Sequence, residues 1–523
     1  MTRRTSISAT LGIACLAAPL VWMAPAAATP LSEADRKLLV FHAEADRLAT
    51  SFAARSWPGF GWDKYAFVVF DPNRVAFQFN SSRPLPGFSP LQGAPARGRN
   101  PVFVRYGSTQ QFTPGKGPFE FVVAVGGQRV IPIAVSGIEA ALPNGYSPAS
   151  LLYFPLLVHL REQYSWFAEY MRKGEDWISQ YPLGDIDNFA LADLESACLK
   201  FAATATAAED AIRAAKWFVA VRLTRQAKLS ATSVKHENYQ EILVAAARYG
   251  SLHLATHGAS PEYKPLPALA GVARGWSYPT QADVAKWLAT ALDSPMDARA
   301  LTRERLGLSG MGQAMLLDRL GAKDWRRQLA TSGSYAPLLA KAAGYDDAER
   351  APIVEEAKKA LNFEVLQIRA RGIVENNLRM IEAFDRQPGW IVKVNLPDVG
   401  TSPTANLGLR WEPGGYFPLE IDSRTRLFLP PYRAIHFTTA HMSIELAAVP
   451  AKFYSVDYSN PFRNLILRLP LNPGDVKLDG QDLALRPGNR AIAKSLVIKA
   501  PKATLTFKRG RVVVSRDAIE VKP

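Results

Sequence analysis

From about Ser147 to Gln387 the apolar residues recur at the 3.6-residue spacing of a helix, and on either side they alternate at the two-residue spacing of a strand. That order of periods predicts an α+β chain: a small β-rich N-terminal part, a helical middle domain and a C-terminal β-sandwich-like domain. The 523 residues suffice for two or three domains. We place the boundaries at 29–146, 147–387 and 388–523.

An amphipathic helix is expected from Ser32 to Arg55. After it, the runs Tyr65–Phe70 and Val75–Phe79 are aromatic and β-branched, with Asp71-Pro72-Asn73 between them. Phe119–Ala124 and Val130–Val135 flank Gly126-Gly127, a hairpin-type turn. In the middle block, Ala190–Leu229 is one long apolar-periodic stretch. Val234–His257 is a second, closed by Gly258. Asp346 and Glu349 are spaced as a capping box for a helix reaching about Asp385, with Pro388-Gly389 as its stop. The last block returns to short strands and frequent turns, such as Asn472-Pro473-Gly474 and Asp479-Gly480.

Residues 1–28 read as a signal peptide. Arg3 and Arg4 form a positive start, an apolar stretch runs from Ile7 to Met23, and Ala26-Ala27-Ala28 supplies small residues for cleavage before Thr29. The expected location is periplasmic or extracellular. Cleavage leaves Cys198 as the one thiol, on the apolar side of its helix. The net charge of +15 is scattered in short groups such as Arg326-Arg327. No basic stripe with interleaved aromatics exists, which excludes nucleic acid as a partner. Attraction to anionic envelope polymers or lipid, or plain solubility, is left. After signal cleavage no integral membrane protein is expected.

His159 and Gln163 are four apart and share one face of a predicted helix. A zinc peptidase places two His at this spacing, with a Glu after the first as general base. Here Leu160 holds the base position and Gln163 that of the second His. Leu cannot take a proton, and Gln is a poor zinc ligand. His253 and His257 repeat the spacing and, with Glu241 or His236, are a rival metal set. The base is again missing, because Leu254 follows His253; two polar-surface histidines are the plainer reading. His236-Glu237 does carry a Glu, but Gln240 takes the second ligand position. Glu237 and Glu241 read first as a solvated helix face. There is no Gly-x-Ser-x-Gly elbow, P-loop or dinucleotide fingerprint. Tyr164, Trp166, Phe167 and Tyr170 lie near His159, and Trp411, Tyr416 and Phe417 surround a late turn. Such aromatics pack cores or stack on sugars and peptides.

Several stretches together resemble secreted bacterial zinc-peptidase-like proteins of the gluzincin type. They are Trp57-Pro58-Gly59-Phe60, Pro84–Phe88, Phe218–Arg225, Glu241–Tyr249, Gly310–Leu320 closed by Trp325, and Gly474–Leu483. The resemblance implies a helical middle that carries zinc through two His and a later Glu. At that Glu position stands Val244. Of the implied motif His159 remains, while Leu160, Gln163 and Val244 depart from it. The resemblance therefore implies a degenerate member with no metal and no confident catalytic residue. On this alignment His159 faces the helix of Glu241 and Val244, and Leu160→Glu, Gln163→His and Val244→Glu would rebuild a zinc set. The function expected is that of an exported pseudoenzyme that binds a peptide or envelope polymer and needs no cofactor. The alternatives are an active hydrolase, with zinc on displaced ligands, and a structural or assembly protein of the envelope.

Overall fold

The computed structural model describes residues 30–71, 74–94, 99–109, 112, 122–142, 147–164, 181–294, 301, 304–396, 410–412, 419–420, 425–428, 434–438, 441–454 and 464–523. The architecture is mixed α+β, with N-terminal strands, central helices and C-terminal sheets. The expected leader lies outside the described residues.

Helix α1 (Glu33–Ser56) starts at a capping box in which Ser32 and Asp35 exchange hydrogen bonds. The strands β1 (Phe67–Asp71), β2 (Val75–Phe79), β3 (Ser89–Pro90), β4 (Phe103–Tyr106), β5 (Val123–Val125) and β6 (Gln128–Ala134) form one sheet in the order β3-β4-β2-β1-β6-β5. Gly126 and Gly127 take φ of 55° and 77° in the β5–β6 turn, a left-handed conformation that favours glycine. β1 pairs antiparallel with β2 and parallel with β6, placing Phe67 opposite Phe79 and Ile131. Both faces of this sheet are covered. Phe67, Val69, Phe77 and Ile133 face the helices, while Val68, Phe70, Ala76 and Val130 pack with Phe88 and Phe112 on the other side.

The sheet leads through α2 (Val135–Ala141) to α3 (Pro148–Gln163). Next come α4 (Ile186–Thr204), α5 (Ala208–Gln226), α6 (Ala231–Gln240), α7 (Ala246–Gly258), α8 (Ala268–Val272), α9 (Gln281–Leu292), α10 (Arg305–Arg319), α11 (Trp325–Ser332), α12 (Ala336–Ala343), α13 (Arg350–Ala360) and α14 (Phe363–Asp385). The long 190–229 stretch is a helical hairpin that turns at Ala205–Ala207, where no Gly or Pro marks the break. The expected 346–385 helix is likewise interrupted. Asn362 adopts φ 52°, a left-handed conformation that Asn tolerates better than most residues, and it separates α13 from α14. Buried apolar residues from Leu38 to Leu366 form one core shared by the N-terminal sheet and the helices.

Between α6 and α7 the helix continues through a π-turn at Glu241–Ala245. Gly310 of α10 packs against this wider turn. A Cβ there would meet Ala245 Cβ at 2.5 Å and the Glu241 carbonyl oxygen at 2.6 Å. Gly310→Ala is therefore expected to cost about 1–3 kcal/mol, the usual effect of overpacking; urea titration with both forms measures it.

The C-terminal block has its own core. An eight-stranded and a seven-stranded sheet bury alternate residues, such as Val392, Val394, Leu465, Leu467, Ile444 and Leu505. This is a β-sandwich-like arrangement. Strand 518–522 pairs parallel with strand 390–395, placing Ile519 opposite Val392, so the chain end is built into the sheet. Phe384 at the end of α14 packs on Ile466 of the sandwich.

Candidate functional site

His159 lies on α3, and both of its ring nitrogens are engaged. Nδ1 is 3.1 Å from the Tyr65 hydroxyl and Nε2 is 3.3 Å from the Pro58 carbonyl oxygen. Burial holds the ring below its usual pKa. The Tyr65 hydroxyl also donates to Glu162 at 3.1 Å. Gln163 accepts from the indole N–H of the fully buried Trp57 at 3.3 Å. Both polar residues of the motif face thus hold the Trp57–Tyr65 segment against α3. Leu160 has no exposed surface and belongs to the shared apolar core. α3 packs on the π-turn and on α7. Val244, however, lies beside Gly307 of α10, 3.5 Å from where a Cβ would stand on that glycine. His159 and Gln163 are thus engaged by the Trp57–Tyr65 segment, Leu160 by the apolar core, and Val244 meets Gly307.

The carboxylates expected on a solvated face lie instead in the middle of the bundle. Glu237 and Glu241 are fully buried, as is Glu195 of α4. They meet Arg222 and Arg225 of α5 and Arg305 of α10, which are also buried. Arg225 donates Nε to Glu195 at 2.6 Å, and Nη2 and Nη1 to the two oxygens of Glu237 at 2.6 and 2.9 Å. Arg305 joins the same two carboxylates at 3.0 and 2.7 Å. Arg222 forks onto Glu241 at 3.0 and 2.7 Å and reaches Glu195 at 2.9 Å. Tyr181 donates to Glu237 at 2.5 Å, and Ser309 donates to Glu241 at 2.7 Å. The three charges of each sign balance. Burial alone would raise the pKa of Glu195 and Glu237, but the surrounding guanidinium charges outweigh it and hold both below the usual range. Burial and carboxylates oppose each other at the arginines too, and the carboxylates win, so Arg222 and Arg225 stay charged.

A sequence signal for this network existed. Arg222 interrupts the apolar run Phe218–Leu223, Arg225 follows it one turn on, and Glu195 interrupts Leu191–Leu199. A charge on the apolar face of a helix calls for a buried partner.

A second polar node joins the quoted stretches 241–249 and 310–325. Asp318 accepts from Tyr249 at 2.5 Å, from the Trp325 indole at 2.7 Å, and from both ends of the Arg326 fork at 2.8 and 2.6 Å. Burial pushes this carboxyl up in pKa, yet these donors together hold it below its usual value. Trp57 meets Trp325 edge-on with centroids 5.9 Å apart. His253 lies beside Tyr249, and its Nδ1 is 3.2 Å from Ser56 Oγ. The rings of His253 and His257 are 4.9 Å apart, and His257 stacks on Phe52. Neither histidine lies on the open surface; both are half-buried. The third residue of that rival metal set, Glu241, is committed to Arg222 and Ser309. Among the described residues no group of three or more His, Cys, Asp and Glu side chains is placed to hold a metal ion.

Cys198 is fully buried, and burial raises its thiol pKa. Tyr164 is buried as well, whereas Trp166, Phe167, Tyr170, Tyr416 and Phe417 lie outside the described residues. Trp411 lies in the strand 410–412. Among the described residues no helix is long and apolar enough to cross a membrane. Comparison with profiles of protein families, with curated proteins and with solved structures finds no match to this chain.

Proposed function

We propose that the chain is an exported, peptidase-like binding protein of the cell envelope, without a catalytic metal. One observation supports this above others: the converging carboxylates of the middle helices are already neutralised by arginines. Glu195, Glu237 and Glu241 each accept from one or more guanidinium groups at 3.0 Å or less. A divalent cation would have to displace those groups and would leave buried arginines without counter-charge, at a cost of several kcal/mol. Without a bound metal or a free buried base, no water is activated there. Binding is the role left to the scaffold. Its excess of Lys and Arg over Asp and Glu, +13 once Arg3 and Arg4 leave with the leader, suits a peptide or polymer that carries negative charge.

Zinc titration by calorimetry tests the reading. The wild type is expected to take up no zinc. The Leu160→Glu, Gln163→His, Val244→Glu variant is expected to gain none, because His159 has both ring nitrogens engaged by Tyr65 and Pro58, and a carboxyl buried at position 160 lowers its stability. One equivalent of tightly held zinc in the wild type overturns the reading. Sedimentation with isolated cell envelopes tests the positive part: the chain is expected to co-sediment and to be released by salt, since screening weakens surface attraction.

A further inference from the structure

We propose that the cleft beside His253 is a binding site for a small carboxylic acid with an apolar tail. This inference rests on the cleft alone and stands apart from the envelope-binding reading. The cleft lies where α7, α9 and α10 meet the end of α4, and it encloses about 400 Å³. That falls within the range of roughly 300–1,000 Å³ common to small-molecule sites. Small side chains make the room: Ala203, Ala205, Ala282 and Ala285 line it together with Val284 and Met315. A second groove of about 520 Å³ shares Ala203, Ala282 and Ala285 and runs on past Ala289 between Lys200, Lys286 and Asp293.

Six of the twelve lining side chains are polar, Thr256 and Gln281 among them, and they differ in kind. Tyr249 and Asp318 line the cleft but are spent on each other and on Arg326. Asp318 accepts four hydrogen bonds and has its charge matched by the Arg326 fork. His253 has Nδ1 held by Ser56, which leaves Nε2 for a visitor. Arg319 lies at the exposed edge. Its guanidinium caps the end of α4 by donating to the carbonyl oxygens of Ala202 and Ala205. Among the described residues it pairs with no carboxylate, so the cleft keeps one unmatched positive charge. An apolar floor, a neutral imidazole edge and a guanidinium at the mouth fit a carboxylate joined to a short hydrocarbon. That chemistry is shared by a free medium-chain acid and by the C-terminus of a peptide ending in Leu.

Calorimetric titration of the full chain with octanoate, 1-octanol and acetyl-Leu-Leu tests the assignment. Octanoate is expected to bind and to shift the ring resonances of His253. 1-Octanol is expected to bind at least tenfold more weakly. Arg319→Gln should reduce octanoate affinity about tenfold, while Arg319→Lys, which keeps the charge, should lose less. Met315→Trp fills the floor and should abolish binding with the melting curve intact, which separates loss of the site from loss of the fold. Binding of octanoate tighter than of acetyl-Leu-Leu assigns the cleft to a free acid, and the reverse order assigns it to a peptide terminus. The proposal is overturned if octanoate does not bind at millimolar concentration, if 1-octanol binds equally well, or if folded Met315→Trp binds as the wild type does.

Discussion

Arg225→Met is expected to destabilise the chain by about 3–5 kcal/mol, the cost typical of removing one member of a buried ion pair. Arg225 gives all three of its side-chain nitrogens to Glu195 and Glu237, with contacts at 2.6, 2.6 and 2.9 Å, and Nη1 also donates to Asn188 at 3.1 Å. Without it the network holds three carboxylates and two guanidinium groups, all out of water. One carboxyl must then stay charged and underpaired or take up a proton, and either choice costs free energy. Arg225→Lys keeps the charge but not the fork, so its loss should be smaller. Guanidinium chloride unfolding followed by helical dichroism measures both. A loss below about 1 kcal/mol for Arg225→Met would show that the network contributes little to holding α4, α5, α6 and α10 together. A hydrophobic replacement of the whole network is a different experiment. It removes the desolvation cost together with the pairing, and well-packed replacements of this kind are often neutral or stabilising.

The order of layers was legible in the sequence because periodicity reports burial directly. Strands 67–71 and 75–79, helix 33–56 and the C-terminal strands all follow apolar spacing. Helix ends were legible only where a residue with a local mechanism marks them. Ser32 does so for α1, whereas Gly258 is the last residue of α7 and makes room for the Tyr278 ring, the cap being Ala259. The turn at Ala205–Ala207 is written in alanine and threonine, which carry no turn signal, so the long stretch read as continuous. The candidate site was less legible. Spacing alone places Glu237 and Glu241 on one helix face, and a helix face bearing charge is most often solvated. What reverses that reading is the arrival of Arg222, Arg225 and Arg305 from two other helices, a tertiary fact. The same holds for His159. Its spacing to Gln163 is that of a metal pair, but both side chains are taken by Tyr65, Pro58 and Trp57, which are about one hundred residues away in the chain. Motif spacing gives a shared face; what that face meets is decided by packing.

Stability is expected to fall as pH drops from about 6.5 to about 4, before the bulk of the carboxylates titrate. Buried imidazoles cause it, His42 and His253 most, with His159 adding in the same direction. His42 of α1 is buried, stacked on Phe79 with centroids 4.0 Å apart, and touches Asn80 Oδ1 at 3.4 Å through Nε2. Burial lowers its pKa from 6.5 to about 4, against the charge of Asp46 and the Asn80 hydrogen bond, which favour the protonated ring. His253 is lowered to about 4 by burial, and by the charges of Arg326 and His257, against Asp318. Between pH 6.5 and 4 the unfolded chain binds protons at these rings and the folded chain does not, so unfolding is favoured as pH falls. Each ring accounts for about 3 kcal/mol across that window. Below it Glu195 and Glu237, whose folded pKa values are held down, continue the loss, because the unfolded chain then takes up their protons first. His42→Phe and His253→Phe separate the terms. Each should flatten the dependence between pH 6.5 and 4 by about one proton while leaving the steeper loss at lower pH in place. Melting temperatures of the three proteins at half-unit steps of pH give the slopes. Equal slopes for wild type and both variants above pH 4.5 would remove His42 and His253 from the account.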